Sequence, residues 1–516
     1  MFQSKRMQAK IRKKELTALM LGLLVVLTPF PGFSLDHEKD RKPPNILLIL
    51  VDDLKPALGV YGDAIAKTPH LDRFASKGTR FEMAYSNQAV CAPSRINLML
   101  GSRSTSSGIY EFGQNFRDYY PDAVTMPQFF KQKGYHAESM GKVYHIGHNT
   151  YGDEASWSVP HHKDLVIEYV DAESKKEGFT REEALFSNQS ANGLPRGMAW
   201  ESPEVADEAY ADGRTAKRAI ERLAQLKNNP DKPFFLAVGF ARPHLPYSVP
   251  KKYWDLYDPA SLPLPTYQIA PAGAPAYAVK RDTEIDQYKP IPHSSQQDPF
   301  SPDLQRKLIH GYYAGVSYVD AQIGKVLSAL EQLDLDENTI VVLWGDHGYH
   351  LGELGIWTKH VNYELANRIP VIMAGPGIAK KGRKTLQPME TVDIYPTLAE
   401  LAGFKRPEVP QPLDGLSMVP VLKNTKKSIR DHAYHTFPRG GRLGRAIRTD
   451  RYRLVEWKRI GAPENTAEYE LYDYQNGRVE MKNLAAEQPE VLARLKAILA
   501  RHPEATPSRR PSPPRK

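Results

Sequence analysis

The sequence predicts an α/β fold in which a large, mostly parallel sheet is flanked by helices and followed by a smaller C-terminal antiparallel sheet with a helix. Three observations lead to this prediction. Short, unbroken apolar runs recur along the chain, as in strands that are buried on both faces. Two longer segments have the apolar period of amphipathic helices. After about residue 424 the sequence changes to short alternating strands.

Each element is predicted from its own residues. The buried strands are predicted over residues 45–51, 135–140, 234–238, 339–344 and 370–374, and the two long helices over 205–226 and 305–333. Asp320 on the second of these helices is interpreted as a structural or solvated acid. Residues 246–302 lack a clear period and predict a long irregular excursion, which shapes a substrate cleft or is a passive surface insertion. The C-terminal strands are predicted over 433–436, 444–448, 452–457 and 470–473, and the last helix over 490–500.

The composition is that of a globular protein with a neutral body. The chain has 516 residues, of which 41% are hydrophobic and 25% charged, so a large core is available. The formal net charge of +9 does not indicate a nucleic-acid partner, because it comes from the two ends. Residues 1–14 hold six cations and no acid, and residues 501–516 hold five cations and one acid.

The chain is predicted to be exported to the periplasm, the extracellular space or the secretory pathway. A basic start followed by the apolar run 16–27 predicts a signal peptide over residues 1–35, or an N-terminal anchor. The run is shorter than the ~20 residues that a spanning helix needs, so membrane contact is expected only if the leader stays uncleaved. The tail, 501–516, is basic and Pro-rich and is predicted to be disordered.

Polar side chains follow four of the predicted strands. The strand over 370–374 ends instead in Gly-Pro-Gly and has no such group. Because ligands of open α/β sheets bind beyond the carboxyl ends of the strands, we expect these side chains to form one site. They are Asp52 and Asp53, Lys142 and His145, His244, and Asp346 and His347.

The adjacent pair Asp52 and Asp53 predicts a metal site. Two carboxylates at the exit of a buried strand repel each other unless a cation lies between them. A hard divalent cation with oxygen ligands meets this need, and the residues alone do not distinguish Ca²⁺ from Mg²⁺.

Cys91 is the only cysteine of the chain and lies in Cys91-Ala92-Pro93-Ser94-Arg95. Behind a leader, a lone thiol cannot form an intrachain disulfide, so another chemistry is indicated. Pro93 suits the first turn of a helix that ends at Gly101, and a helix N-terminus favours an anionic reacting group. Arg95 adds a planar fork for oxyanions. The alternative is a free, buried cysteine beside a proline turn.

Taken together, these motifs resemble the type I, formylglycine-dependent sulfatases of the alkaline-phosphatase superfamily, and within them the iduronate-2-sulfatases. The resemblance covers about residues 45–422. Its motifs are VDD, C-x-P-S-R, G-K-x-x-H, P-H, G-D-H-G and Lys359, 13 residues after Asp346. It implies a sulfatase fold with 36–423 as the catalytic domain and 424–500 as a small α+β subdomain. It also implies an exported sulfuric-ester hydrolase that removes O-sulfate from a sulfated sugar or polysaccharide.

The resemblance also implies the cofactors and the roles of the site residues. A maturation enzyme would oxidise Cys91 to formylglycine, whose hydrate supplies an oxygen nucleophile. One Ca²⁺ would be bound by Asp52, Asp53, Asp346, His347 and the modified Cys91. Asp346 would accept the proton of the nucleophile, and His145 that of the second hydroxyl. His244 and Lys359 would serve the leaving alcohol, while Arg95 and Lys142 add positive charge for the sulfate group.

Some positions differ from the iduronate enzymes. Ala241 and Arg242 stand where those enzymes have a histidine and a lysine, and Leu354 and Ile356 replace polar residues. The resemblance places these positions where the sugar rests, so the uronate specificity is open. Two alternatives to a sulfatase remain: a phosphatase or phosphodiesterase of the same superfamily with two transition metals, and an inactive sulfated-glycan binding protein.

Overall fold

The computed structural model describes residues 42–174, 179–279, 284–292, 299–379 and 382–512. The predicted leader, 1–35, and the last four residues of the predicted tail lie outside these ranges. Within them, no helix combines the length and the apolarity that crossing a membrane requires.

An eight-stranded sheet forms the centre of the fold and confirms the predicted class. Its strands run in the order β10-β2-β8-β7-β1-β5-β3, with β9 beside β2. The strands of the chain, including the two-stranded pair β4 and β6, are β1 Asn45–Val51, β2 Thr79–Tyr85, β3 His136–Gly141, β4 Trp200–Glu201, β5 Phe234–Phe240, β6 Tyr247–Ser248, β7 Thr339–Gly345, β8 Arg368–Ala374, β9 Arg383–Thr385 and β10 Met389–Glu390. The four strands β7, β1, β5 and β3 are parallel neighbours, so their carboxyl ends meet at one edge.

The strand β8 differs from these four, because it runs antiparallel to β7. Its carboxyl end therefore lies at the opposite edge of the sheet. The residues that follow the predicted run 370–374 are therefore not at the edge where the other four strands end. The strand β2 was not predicted, since Arg80 and Glu82 interrupt its apolar residues.

Helices cover both faces of the sheet. Alternate residues of β1 enter two separate cores: Leu47 and Ile49 pack with residues of α1, α6 and α8, while Ile46 and Leu48 pack with residues of α2, α4 and α10. The helices up to the end of the large domain are α1 Pro69–Lys77, α2 Cys91–Leu100, α3 Ser104–Ser107, α4 Met126–Gln132, α5 Arg181–Phe186, α6 Ala211–Lys227, α7 Lys251–Trp254, α8 Pro302–Gln332, α9 Glu364–Asn367, α10 Ile394–Leu401 and α11 Val419–Lys423.

Asp320 on α8 has a structural role, which is one of its two predicted interpretations. Its buried carboxylate accepts hydrogen bonds from the backbone N–H of Leu71 at 2.8 Å and of His70 at 3.3 Å. These donors belong to the first turn of α1, whose N–H groups have no partner within the helix. Asp320 therefore fixes α1 to α8.

The C-terminal region is a four-stranded antiparallel sheet with one helix, as predicted. Its elements are β11 Ala433–Arg439, β12 Arg442–Arg448, β13 Tyr452–Lys458, β14 Glu468–Asp473 and α12 Pro489–Leu499. Leu495 and Leu499 of α12 pack on Ile447, Leu454 and Leu471 of the sheet. The boundary at residue 424 stays a prediction.

The prediction of a disordered tail is wrong for residues 501–512. This segment lies along residues 105–113, and the backbone groups of the two segments bond to each other, so it needs no core of its own. Ala505 is buried in the contact. The backbone N–H donors and their carbonyl acceptors are Thr506 to Thr105 at 2.7 Å, Arg509 to Gly108 at 2.9 Å and Ser512 to Gly113 at 2.8 Å.

Candidate active site

The edge at which the four parallel strands end brings the predicted side chains together. Asp52 and Asp53 follow β1, and the backbone N–H of Asp53 donates to Asp346 Oδ1, after β7, at 3.1 Å. Lys142 follows β3 and forms an ion pair with Asp52. The loop that leaves β7 returns with Lys359, whose Nζ lies 3.0 Å from Asp53 Oδ1.

Cys91 enters this cluster from α2, of which it is the first residue. The helix ends at Gly101, whose left-handed φ of 67° is accessible to glycine at little cost. Cys91 Sγ lies 3.2 Å from His347 Nε2. Burial, and next the carboxylate of Asp52, raise the pKa of the Cys91 thiol well above its ordinary value. The unmodified thiol is therefore protonated at neutral pH and is a poor nucleophile.

Four side chains converge as potential metal ligands. Asp52, Asp53, Cys91 and His347 each offer one ligand atom, and these atoms lie within 4.8 Å of one another. Asp346 borders the group, with Oδ1 3.6 Å from His347 Nε2. Burial lowers the pKa of His347 to about 4, so its imidazole is neutral and can act as a ligand.

The donor set fits a hard divalent cation. Asp52 Oδ1 is buried and accepts no hydrogen bond from any residue in the described ranges. Such an orphaned oxygen, beside a second carboxylate and a neutral imidazole, is the arrangement that a cation completes. With the bordering Asp346 counted, three carboxylates stand beside one imidazole and one sulfur, which favours Ca²⁺ or Mg²⁺ over a transition metal.

Three buried cations, Arg95, Lys142 and Lys359, surround the carboxylates. Arg95 contacts Asp346 Oδ2 through Nε and Nη2, each at 3.0 Å, and its Nη2 lies 3.4 Å from Asp52 Oδ1. Burial opposes the ionisation of Asp52, but Lys142, His244 and Arg95 outweigh it and hold the pKa of Asp52 well below its ordinary value. Burial and the neighbouring Asp52 raise the pKa of Asp346 well above its ordinary value. Of these two carboxyl groups, Asp346 is the one that takes a proton.

Glu284 joins the two residues on the far side of the cluster. Its Oε1 lies 3.0 Å from His244 Nε2, and its Oε2 lies 2.7 Å from Lys359 Nζ. The other ring nitrogen of His244, Nδ1, lies 2.5 Å from the carbonyl oxygen of Leu245. Glu284 was not predicted, since it lies in the irregular excursion 246–302. The only signal was that this excursion was expected to shape the cleft.

His145 lies in an aromatic wall of the site. Its ring centroid is 4.8 Å from that of Phe112 and 5.5 Å from that of Phe186, and its Nε2 is 3.3 Å from His148 Nδ1. Burial, then Lys142 and His148, lower the pKa of His145 well below its ordinary value. No described residue bonds its Nδ1. His145 is therefore a neutral base with one free nitrogen. His148 was not predicted.

The positions that differ from the iduronate enzymes do not line an open cleft. Leu354 and Ile356 are fully buried in an apolar cluster with Ala89 and Tyr363, and their place beside the sugar stays a prediction. The guanidinium of Arg242 donates to the backbone carbonyls of His244 and Val166 and is used for loop structure.

The comparisons with known proteins agree with this geometry. Residues 44–404 match the family model described as Sulfatase, and residues 352–504 match the one described as N-sulphoglucosamine sulphohydrolase, C-terminal. The chain is 33% identical over 417 residues to the human protein named iduronate 2-sulfatase, covering 75% of this chain and 74% of that protein. It is 30% identical over 443 residues to a protein of Formosa agariphila named sulfatase, covering 82% of this chain and 80% of that protein.

A solved structure shares the fold. It holds a protein in complex with its substrate, D-glucosamine-2-N,6-O-disulfate, and superimposes with a TM-score of 0.69 at 23% identity, covering 89% of this chain and 97% of that one. The Sulfatase match over residues 44–404 includes the residues that meet at the sheet edge. The chain therefore belongs to the sulfatase family.

Proposed function

We propose that this protein is an exported hydrolase that removes O-sulfate from a sulfated sugar by means of a formylglycine at position 91 and one calcium ion. The observation that carries the proposal is the position of Cys91. Its sulfur lies at the N-terminus of α2, 3.2 Å from His347 and among carboxylates and cations that suit an anionic ester. Export rests on the leader-like residues 1–35.

The raised pKa of the Cys91 thiol indicates that a modified side chain, rather than the thiol itself, would be the nucleophile. A protonated thiol cannot attack an ester efficiently, whereas the hydrate of formylglycine would supply an oxygen nucleophile at the same place. Asp346, which Arg95 holds through two contacts of 3.0 Å, would accept the proton of that nucleophile. His145 has a free nitrogen and would accept the proton of the second hydroxyl. A maturation enzyme is therefore an expected partner.

The cations would bind and polarise the sulfate group. Arg95, Lys142 and Lys359 are fixed by buried carboxylates, so they need no rearrangement when negative charge builds on the sulfate oxygens. The metal ion, held by Asp52, Asp53, Asp346, His347 and position 91, would add Lewis-acid polarisation. His244 would donate a proton to the leaving alcohol, and Lys359 would stabilise its charge.

A phosphatase with two metal ions is less compatible with the site. Asp53, His244 and Glu284 form a second group with ligand atoms within 4.8 Å of one another. The ammonium of Lys359 lies among them, 2.7 Å from Glu284 Oε2 and 3.0 Å from Asp53 Oδ1, and would repel a second metal ion. A glycan-binding protein without activity would not require the proton acceptors Asp346 and His145.

The proposal predicts turnover of sulfate esters by protein produced together with a formylglycine-generating enzyme. Release of sulfate from defined sulfated disaccharides measures it, and the likeness to iduronate 2-sulfatases makes a 2-O-sulfated uronate the first substrate to test. Matched phosphate esters serve as the control. Hydrolysis of phosphate esters in preference to sulfate esters would contradict the proposal.

Calcium is predicted to stabilise the protein through the same site. A ligand present at about 100 times its Kd stabilises the folded state by about 2.7 kcal/mol, so the thermal midpoint should rise with Ca²⁺ and fall with a chelator. The Asp52→Asn variant should lose this response. Differential scanning calorimetry measures both proteins with Ca²⁺, Mg²⁺ and chelator. Equal midpoints of the parent protein in all three conditions would show that no cation binds here.

A further inference from the structure

The carboxylate of Glu284 has an unusual position for a site that binds anions. It contacts both His244 and Lys359, the two groups that would face the sulfate ester and its leaving oxygen. The side chain is 15% exposed, so solvent screens it little. An ester at this place must share these two side chains with Glu284 or displace it from them.

Glu284 is ionised in this environment. Burial opposes its ionisation, but His244 and Lys359 outweigh that effect and hold the pKa of Glu284 well below its ordinary value. It therefore adds a full negative charge beside the place of the head group. The charge repels any anion, and a dianion experiences twice the repulsion of a monoanion.

We propose, on the basis of the function proposed above, that Glu284 is a specificity residue that selects monoanionic sulfate esters over dianionic phosphate monoesters. At neutral pH a sulfate monoester carries one negative charge, whereas a phosphate monoester, with a second pKa near 6, carries almost two. At an effective dielectric constant near 20, two unit charges about 5 Å apart repel each other. The energy of this repulsion is larger than the free energy that corresponds to a tenfold change in affinity. The selection operates through charge and requires no contact with the sugar.

A purely orienting role for Glu284 predicts something different. If the carboxylate only held His244 and Lys359 in place, its loss would weaken the binding of sulfate and phosphate esters by the same factor. The ratio of the two affinities therefore separates the roles, while either affinity alone does not.

The experiment measures binding without turnover. In a Cys91→Ala background with Ca²⁺ at pH 7, isothermal titration calorimetry gives the affinities for 4-nitrophenyl sulfate and 4-nitrophenyl phosphate, which share one leaving group. Adding Glu284→Gln should raise the phosphate-to-sulfate affinity ratio about tenfold. The monoanionic 4-nitrophenyl methylphosphonate tests whether the charge of the ligand, rather than its phosphorus atom, causes the discrimination. The ratio of its affinity to that of the aryl sulfate should be the same with and without Glu284→Gln.

Glu182 offers a matched control. It is also buried, and burial, followed by the negative charge of Glu284, raises its pKa to about 8, so it is mostly uncharged at pH 7. Glu182→Gln makes the same chemical change without removing a charge and should leave the ratio unaltered. An unchanged ratio in Glu284→Gln, or an equal rise for the methylphosphonate, would overturn the inference. Failure of the Cys91→Ala protein to bind the aryl sulfate would instead count against the proposed function.

Discussion

Replacing Cys91 with alanine is expected to lower kcat/KM for sulfate esters by at least about three orders of magnitude, because the substitution removes the atom that carries the nucleophile. The fold should survive. The sulfur lies within hydrogen-bond distance of His347, and the loss of one buried atom costs about 1 kcal/mol. Sulfate release and thermal unfolding of the two proteins, prepared in parallel, measure both effects.

Parent protein produced without a maturation enzyme is the control for this experiment. It should be as inactive as the Cys91→Ala variant, since its thiol stays protonated. Mass spectrometry of the peptide that contains position 91 should find formylglycine in active preparations alone. Full activity of protein with unmodified Cys91 would refute the mechanism.

Removing Arg95 is expected to have the largest effect on stability. Its side chain is fully buried, pairs with Asp346 and Asp52, and donates to the carbonyl oxygens of Lys142 and Val143. Breaking a buried pair leaves an uncompensated charge, so Arg95→Ala should lower the free energy of unfolding by about 3–5 kcal/mol and abolish turnover. Arg95→Lys keeps the charge but loses the planar fork of the guanidinium. Its free energy of unfolding should lie between those of the parent protein and Arg95→Ala.

Arg214 provides the comparison for Arg95. It also pairs with two acids, Asp164 and Glu168, but its side chain is 35% exposed. Ion pairs that water can reach contribute about 0–1 kcal/mol, so Arg214→Ala should be nearly neutral. Urea unfolding of the three variants gives the free energies. Similar losses of unfolding free energy in Arg95→Ala and Arg214→Ala would show that the buried ion pairs at the sheet edge stabilise the protein no more than exposed ion pairs do.

The sequence was sufficient to group the side chains at the sheet edge. Parallel strands buried on both faces are recognisable as apolar runs, and their carboxyl ends must meet, so Asp52, Lys142, His244 and Asp346 could be assigned to one place before any coordinates. The direction of β8 could not be predicted, since an apolar run has the same composition whether the strand is parallel or antiparallel.

Other parts of the site could not be predicted, because long-range folding sets them. Glu284 belongs to a segment without period or motif, and only the path of that segment brings it to His244 and Lys359. His148 lies in a loop, and its contact with His145 could not be predicted because the rings of Phe112 and Phe186, which pack against it, come from distant parts of the chain. The order of residues 501–512 depends on a segment about 400 positions earlier, which composition alone does not reveal.

The C-terminal segment 501–512 contacts the loop that carries Phe112, and Phe112 packs against His145. The side chain of Gln114 donates to Ser508 Oγ at 3.0 Å, and two positions before Gln114 the ring of Phe112 packs against His145. Proteolytic trimming after residue 502 would leave every catalytic group in place but would take away the support behind one wall of the pocket. A preparation shortened in this way could be well folded and chemically mature and still be a poor enzyme, so intact mass is worth checking before activities are compared.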